Sequence, residues 1–426
     1  MQKLAVLFRA YLPLALSFEL MMAEAPTLHA AVGRFPNPEA NLAAWGLTIG
    51  LALLIESPVI LLLTTTIALV RDRPSFLALR RFMLTLAIAC TLLTALVAFT
   101  PLYGFITGTL MNQPEAVAQA ARGPLSVLLF WTAAIAWRRF YQGVLVRFGQ
   151  TKWMTWGTLF RLISIGGVAW FFAKDGDIRT WPSGALTAAF ALMTGVLVEA
   201  IASTIFAART VGELPPEGNP LSQKEILQFH TPLALNTLLS LLAQPLTAAA
   251  LARLPHAETT LAAWPVTFGV LLVMRGWGLA VQELSVAQIK SGEPSETLQR
   301  FALIVGLVTA IATFAIALTL VLDAYLTALH TPAALWADIR QGILLAGALP
   351  LLTALGSFVR GRLVAQGKTT ATLSGMALAL GTQCLVLVGG VLLQLPGMTT
   401  AALAMTASQL AELGFLSLQS AQKITD

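Results

Sequence analysis

Twelve long apolar runs constrain this chain more than any other feature of its sequence. An α-helix rising about 1.5 Å per residue needs about 20 apolar residues to cross about 30 Å of hydrocarbon. Only 11% of the 426 residues are charged, against about a quarter in soluble domains. The sequence therefore predicts an all-α polytopic membrane protein with twelve transmembrane helices near residues 10–32, 41–70, 79–104, 117–146, 153–173, 182–208, 226–252, 259–289, 298–322, 335–365, 369–394 and 398–421.

The basic residues between these runs predict the orientation of the chain. Sixteen Lys and Arg residues, Arg360 among them, fall on the termini, the even-numbered connections or the span ends beside them, and six fall on the opposite side. Because cytoplasmic loops carry the excess of Lys and Arg, both termini are expected in the cytoplasm. We predict a multi-pass protein of the cell inner membrane. The other four of the 26 basic residues fall inside the spans: Arg138, Arg139, Arg161 and Arg275.

The chain also contains an internal duplication. When position 13 is aligned with position 232 without gaps, 18 of the 41 positions from 13 to 53 are identical to their partners, and the matches include Pro, Arg, Glu and Trp positions. A second alignment, displaced by one position, matches the segment from Phe140 to Thr151 with Phe358 to Thr369. Each repeat holds an even number of spans, so the two halves are expected to share one topology.

The duplication predicts a two-part organisation. Residues 1–210 form an N-terminal six-helix bundle, residues 211–225 a cytoplasmic linker, and residues 226–426 a C-terminal six-helix bundle. Parallel repeats of this kind are related by an axis along the membrane normal. Such pairs commonly enclose a central cavity and alternate access by rocking one half against the other.

Short motifs in both halves resemble those of a known superfamily. They are the Pro-Leu-Ala-Leu segments at 13–16 and 232–235 and the Gly-x-Leu-x-x-x-Gly-x-Thr elements at 143–151 and 361–369. With the six-plus-six repeat, they resemble the multidrug/oligosaccharidyl-lipid/polysaccharide (MOP) flippase superfamily over essentially the whole chain. The resemblance implies a V-shaped fold of two six-helix bundles. Within it, the chain looks most similar to the progressive ankylosis (Ank) family, on residues 229–235, 71–73 and 136–137. That resemblance implies export of anions such as pyrophosphate, citrate or nucleotides.

Three carboxylates in the first two spans are candidate ion-coupling residues: Glu19, Glu24 and Glu56. A charge in mid-bilayer costs roughly 2.5–3.5 kcal/mol on insertion scales, so it usually faces a cavity or a partner. A carboxylate that loads and releases a proton or Na⁺ could couple transport to an ion gradient. The repeat partner of Glu56 is Arg275, so a structural alternative is that these two residues pair across the halves.

The four arginines within spans, Arg275, Arg139, Arg138 and Arg161, are candidate contacts for an anionic substrate. A guanidinium can hold a carboxylate or phosphate through two parallel hydrogen bonds. Adjacent helical residues differ by about 100°, so at most one of Arg138 and Arg139 is expected to point squarely into a cavity. Snorkelling to the cytoplasmic headgroups is the alternative for this pair.

Two prolines at equivalent positions of the repeat, Pro26 and Pro245, are candidate gating residues. A proline in a helix removes a backbone hydrogen bond and can kink the helix, which would offer a bending point. A kink without motion is the alternative. No catalytic residues, metal ligands or cofactor motif are evident, so we expect neither enzyme activity nor a cofactor.

The leading functional hypothesis is a secondary active transporter that exports small organic or phosphate-containing anions by alternating access. Two alternatives on the same fold stay open: a flippase for lipid-linked saccharides, and a drug/cation antiporter, which predicts an acidic cavity with aromatic walls. We expect protons or Na⁺ as the coupling ion, no nucleic-acid partner, and a monomer in the lipid bilayer.

Overall fold

The structure, a computed structural model, describes residues 2–22, 24–32, 34–111, 115–174, 183–219, 221–328 and 333–421. Within these ranges, ten α-helices precede the linker between the repeats: α1 Gln2–Met22, α2 Glu24–Val32, α3 Pro38–Ile60, α4 Leu62–Leu69, α5 Arg73–Phe99, α6 Leu102–Gly104, α7 Glu115–Val127, α8 Trp131–Arg147, α9 Thr151–Ala173 and α10 Gly184–Gly212. A π-helix, Phe105–Leu110, follows α6, and a 3-10 turn, Leu128–Phe130, joins α7 to α8.

In the described part of the chain after the linker, eight further α-helices follow: α11 Gln223–Leu251, α12 Ala257–Lys290, α13 Ser295–Leu318, α14 Leu320–Ala328, α15 Trp336–Leu345, α16 Leu349–Ala365, α17 Thr369–Leu392 and α18 Gly397–Ala421. A 3-10 turn, Ala333–Leu335, precedes α15. No β-strand occurs within the ranges that the structure describes.

The helices confirm the predicted fold class, an all-α polytopic membrane protein. Eleven helical segments of the described chain are long and apolar enough to cross a membrane. A bent pair, Ala333–Leu345 with Leu349–Ala365, would form the twelfth span with a bend of 41°. The bend has a local cause, because Pro350 near the start of α16 cannot donate a backbone hydrogen bond.

The second span is interrupted as well, between α3 and α4 at Leu61. Pro58 lies inside α3 and has no N–H to donate to the carbonyl of Leu54. The Ser57 hydroxyl donates to that carbonyl instead, at 2.8 Å. The local sequence therefore accounts for the interruption, and the carbonyl that Pro58 cannot bond accepts the Ser57 hydroxyl.

The duplication is visible in the backbone. Asn37 and His256, which the first alignment of the repeats matches, both take the left-handed conformation before the second span of their half, with φ of 53° and 56°. Gly149 and Gly367, which the second alignment matches, have φ of 74° and 80° where the fourth span of each half turns into the fifth. Glycine suits this turn because it has no side chain to clash at positive φ.

Two further glycines of the repeated motif allow helices to approach closely. A Cβ on Gly143 would lie 2.5 Å from Cβ of Thr66, so glycine lets α8 pack on α4. A Cβ on the equivalent Gly361 would lie 2.7 Å from the carbonyl oxygen of Gln282, at the contact of α16 with α12. Small residues at helix interfaces are typical of membrane bundles, where close packing replaces the hydrophobic drive.

The chain forms two compact units, whose limits are offset from the sequence repeats. The first unit is Leu20–Ala234, and the second unit combines Met1–Glu19 with Leu235–Asp426. The start of the first span thus belongs with the later spans, and the start of the seventh span belongs with the earlier ones. Each of these two spans contributes residues to both units.

The linker between the repeats packs on the first unit. The backbone N–H of Arg73 donates to the carbonyl of Pro215 at 2.9 Å. Asp72 caps α5 through a reciprocal bond pair with Ser75, and its carboxylate lies so close to Gly218 that a Cβ there would clash with Oδ2. The linker therefore follows a defined path on the protein.

Candidate functional site

A fully buried carboxylate on α10, Glu199, organises the polar interior of the first unit. Its Oε2 accepts from Nη1 of Arg138 at 2.5 Å, and its Oε1 accepts from Nε2 of Gln142 at 2.9 Å and from Oγ1 of Thr158 at 2.8 Å. Nε of Arg161 lies 3.4 Å from Oε2. A charge removed from water needs such partners, because losing its hydration costs several kcal/mol.

Arg161 links this carboxylate to the first span. While its Nε faces Glu199, its Nη2 contacts Oε2 of Glu24 at 2.7 Å. Arg161 is 4% exposed, and the two contacts join α2, α9 and α10 through one side chain. The fork of the guanidinium, which presents several donors in one plane, suits it to bridge two carboxylates.

Glu56 and Arg139 complete a charge cluster in the first unit. Both are buried, at 5% and 6% exposure, and Glu56 interacts electrostatically with Arg139 and with Arg138. The first-unit charge cluster is thus a set of three arginines and three glutamates whose formal charges cancel: Arg138, Arg139, Arg161, Glu24, Glu56 and Glu199.

The structure brings five of the sequence-predicted site residues into this cluster: Glu24, Glu56, Arg138, Arg139 and Arg161. Neither Arg138 nor Arg139 reaches towards the headgroups, since both side chains are buried inside the bundle. The three arginines lie on α8 and α9, and the carboxylate at the centre of the cluster, Glu199, lies on α10.

The second unit holds a shorter polar chain around Arg275. Nε of Arg275 donates to Oγ1 of Thr353 at 2.8 Å, and its Nη2 donates to Oε1 of Gln409 at 3.4 Å. Gln409 donates in turn to Oε2 of Glu412 at 2.9 Å, and Oε1 of Glu412 accepts from Nη1 of Arg360 at 2.7 Å. Among the described residues Arg275 forms no ion pair with a carboxylate.

Arg275 also borders a cavity of about 200 Å³ within the second unit. Phe268, Leu272, Met376 and Met405 contribute apolar wall, and Gln383 is held by a bond from its Nε2 to Oγ1 of Thr247 at 2.8 Å. Arg275 is the one charged residue among the described residues that line this space. We call it the second-unit cavity, and its polar lining consists of Ser240, Gln244, Arg275, Gln383, Ser408 and Gln409.

Glu19 packs against a helix of the later part of the chain. It belongs to the second unit, where its carboxylate rests on Gly276 of α12, so closely that a Cβ on this glycine would clash with Oε1. Its Oε1 is buried and has no hydrogen-bond partner among the described residues. Of the three candidate ion-coupling carboxylates, Glu24 and Glu56 thus belong to the first unit and Glu19 to the second.

The two candidate gating prolines lie on α2 and α11. Pro26 falls in the first turn of α2, but its side chain lies outside the described residues. Pro245 lies on the exposed side of α11, and this helix runs from Gln223 to Leu251.

Sequence reasoning placed Arg360 at a cytoplasmic connection, and the structure corrects this. Arg360 lies inside α16 and is buried, because Glu412 of α18 offers it an ionic partner within the bundle. Glu199 and Glu412 were visible in the sequence as mid-span acids of the sixth and twelfth helices. Their basic partners, Arg138 and Arg360, both lie on the fourth span of a half. An arginine on the fourth span and an acid on the sixth, found in both halves, is the sequence signal that could have predicted these pairs.

Comparison with solved structures identifies the fold. The chain is similar to a MOP superfamily transporter from Pyrococcus furiosus, described by the reverse polarity of its binding pocket, with a TM-score of 0.73 and 15% identity over 97% of this chain and 94% of that one. An outward-facing multidrug resistance MATE family transporter gives a TM-score of 0.72 and 16% identity over 97% and 94%. A MATE structure in the straight conformation gives 0.72 and 15% over 97% and 95%.

No protein-family model and no curated protein matches the chain. The structural similarity nevertheless confirms the predicted superfamily fold and its MATE-like architecture. The first two of these neighbours are described as transporters. A particular closeness to the progressive ankylosis family stays a prediction.

Proposed function

We propose that this protein is a secondary active transporter that exports small organic or phosphate-containing anions by alternating access. The MOP transporter fold supports secondary transport. The observation that carries the anion assignment is Arg275, a guanidinium that borders a cavity and hydrogen-bonds only neutral groups among the described residues. A partly buried cation without a carboxylate partner among the described residues favours binding of an anion.

The size and lining of the second-unit cavity favour small anions over the alternatives. Pockets for drug-sized ligands typically span about 300–1,000 Å³, whereas this cavity has about 200 Å³. A cation antiporter would be served by acidic walls, and the described lining has one charge, which is positive. The fold accommodates different pocket polarities, since the Pyrococcus furiosus neighbour is described by a reversed one.

The polar groups around Arg275 indicate which anions fit. One guanidinium offers a single bidentate site for a carboxylate or a phosphate group. The amides and hydroxyls that also line the cavity can bind hydroxyl or further oxygen substituents. Small hydroxycarboxylates and monophosphates therefore match the lining better than anions that carry several adjacent charges.

For coupling, we assign the proton or Na⁺ to the carboxylates Glu24 and Glu56, with Glu19 as a separate candidate. The first-unit charge cluster supports this role because it places three acids and three bases within one buried network. Binding a cation at one acid would leave its arginine without a partner. Arg138, Arg139 and Arg161 would then either rearrange or attract a substrate anion.

The excess of basic residues on one side supports placing both termini in the cytoplasm. The proposal also includes a monomer that acts in the cell inner membrane. The bundles of residues 1–210 and 226–426, with residues 1–19 and the start of α11 exchanged between them, would form the two lobes of the alternating-access cycle.

The test uses purified protein in liposomes loaded with ¹⁴C-citrate, ¹⁴C-lactate or ³²P-phosphate. We expect release of at least one of these anions to depend on an imposed pH or Na⁺ gradient. Arg275→Gln should reduce that release by about 10–100-fold, the loss expected for a hydrogen bond to a charged group worth about 1.5–3 kcal/mol.

Arg340→Gln is the matched control, because Arg340 pairs with Asp323 at a partly exposed site away from the cavity lining. It should leave release unchanged. Equal release by wild type and Arg275→Gln, or gradient-driven efflux of ethidium without release of any of the anions, would refute the anion assignment.

A further inference from the structure

A pair of side-chain contacts recurs in the two units at positions related by the duplication. In the second unit, Oη of Tyr11 donates to the carbonyl of Trp277 at 2.7 Å. In the first unit, Nε2 of His230 lies 2.7 Å from the carbonyl of Pro58. The alignment that defines the repeat, position 13 with position 232, also matches Tyr11 with His230 and Pro58 with Trp277.

The aromatic neighbours of the two donors repeat as well. The Tyr11 ring meets Phe301 edge to face, with centroids 5.1 Å apart and an interplanar angle of 75°. The His230 ring meets Phe82 in the same way, at 5.2 Å and 74°. Phe82 and Phe301 are matched by the same alignment. Three pairs of equivalent residues therefore make one repeated geometry, although the donor has changed from phenol to imidazole.

Each contact is made by a helix from the opposite repeat. Tyr11 lies on α1, in the N-terminal repeat, but belongs to the second unit with α12. His230 lies on α11, in the C-terminal repeat, but belongs to the first unit with α3. Each helix end that packs in the unit of the other repeat is thus held there by a specific hydrogen bond.

The accepting carbonyls lie two residues after the charged residues of the site. Trp277 follows Arg275 on α12, and Pro58 follows Glu56 on α3. In the first unit the carbonyl stands just before the interruption at Leu61, and Oγ1 of Thr65, beyond the interruption, lies 2.8 Å from Nδ1 of His230. A carbonyl can only accept, so Nε2 donates and the ring spans the break.

We propose that Tyr11 and His230 are positioning residues, each of which fixes the backbone beside the key charge of a unit: Tyr11 for Arg275, and His230 for Glu56. Because the importance of Arg275 and Glu56 follows from the transport of anions proposed above, this assignment rests on that function. Each repeat thereby sets the geometry of the charged residue that lies in the other repeat.

The experiment measures where the two charged positions point, without requiring a substrate. Arg275→Cys and Glu56→Cys are introduced separately into a background with Cys90→Ala and Cys384→Ala. The rate at which each new thiol reacts with the anionic reagent 2-sulfonatoethyl methanethiosulfonate is measured in detergent. Tyr11→Phe and His230→Phe are then added, since phenylalanine keeps a ring but removes the hydrogen bond.

Each substitution should change the reaction rate at only one of the two cysteine positions. Tyr11→Phe should change the reaction rate at position 275 by about fivefold, as expected for losing one hydrogen bond of ordinary net strength, and leave position 56 unchanged. His230→Phe should do the reverse. Tyr103→Phe is the matched control, because Tyr103 also donates to a backbone carbonyl, that of Ala118, which takes part in neither of the repeated contacts. It should change neither rate.

Equal effects at both positions, or none at either, would overturn the proposal. If a cysteine variant does not fold, hydrogen–deuterium exchange of the otherwise unaltered chain provides the second measurement. Tyr11→Phe should then raise exchange in residues 276–282 and not in residues 57–63, and His230→Phe should do the opposite. Failure of anion transport with a crossed labelling pattern would instead remove the proposed function and keep the positioning contacts.

Discussion

Buried ionic groups in this protein are satisfied through one repeated arrangement. In each half, a carboxylate on the sixth helix meets an arginine on the fourth: Glu199 with Arg138 and Glu412 with Arg360. Glu199 accepts two further hydrogen bonds, from Gln142 and Thr158, and has an ionic contact with Arg161. Glu412 accepts from the amide of Gln409, which links it to Arg275. The same scaffold therefore supports a neutralised network in the first unit and an arginine open to a cavity in the second.

At this residue scale, Glu199→Gln should strongly destabilise the protein. The substitution leaves Arg138 buried against an uncharged partner and leaves Arg161 with Glu24 as its carboxylate contact, and breaking a buried pair from one side typically costs about 3–5 kcal/mol. Thermal unfolding of the detergent-solubilised protein should show a clear fall in Tm.

Glu213→Gln is the matched control, because Glu213 pairs with Arg209 at an exposed site and exposed pairs contribute little. It should not move Tm measurably. A Tm for Glu199→Gln equal to that of wild type would show that the central carboxylate is not needed to stabilise the cluster.

The helices of the two halves pack through equivalent glycines. Gly143 brings α8 onto α4, and Gly361 brings α16 onto α12. The neighbour differs between the two sites: it is the side chain of Thr66 at the first and the backbone carbonyl of Gln282 at the second. Neither neighbour can give way easily, because Cβ of Thr66 is bonded directly to its backbone and the oxygen of Gln282 is part of the backbone.

At the scale of elements, Gly143→Ala and Gly361→Ala should each destabilise the protein by about 1–3 kcal/mol, the usual cost of overpacking. We expect effects of similar size at the two positions. The measurement is again Tm in detergent, with the wild type scanned under the same conditions.

Gly167→Ala on α9 offers the control, since a Cβ there meets nothing within 4 Å. It should be neutral or slightly stabilising, because alanine favours helix over glycine by up to about 1 kcal/mol. If all three variants had the same Tm, the close helix approach at the motif glycines would lose its stabilising role.

The whole molecule combines a tandem duplication with compact units that do not coincide with the repeats. Residues 1–19 complete the unit built from the later helices, and the start of α11 completes the unit built from the earlier ones. Neither repeat by itself contains all the residues of either unit. The two repeats should therefore depend on each other for folding.

At the molecular scale, chains of residues 1–219 and 220–426 should fold poorly when expressed alone and well when expressed together. Each half alone lacks the helix end that donates the bond from Tyr11 or His230. Fluorescence-detected size exclusion should show a monodisperse peak for the co-expressed halves.

The matched control is the full chain with a protease site between residues 219 and 220, cut after purification. It should keep the elution volume and Tm of the intact protein. A monodisperse, thermally stable peak from either half alone would contradict the mutual dependence of the repeats.

Much of the fold was determined by the sequence itself, because its signals are local or periodic. Apolar runs of span length, the excess of basic residues on one side and the tandem repeat predicted the helical membrane class and the superfamily fold. Pro58 and Pro350 act on their own helices, and the glycines at 149 and 367 are needed by the turns they occupy. Such features depend on a few neighbouring residues or on a periodic pattern and can be predicted without knowledge of tertiary contacts.

Partner choice was decided only by the tertiary structure. Glu199 meets Arg138 across 61 residues, and Tyr11 meets the carbonyl of Trp277 across 266. The sequence identified charges that need partners, since lipid offers none, but several partners satisfied that need equally well. Packing alone brought Arg360 inside the bundle, set Glu19 against Gly276 and left Arg275 beside a cavity, because helix rotation and contact determine which buried groups face each other.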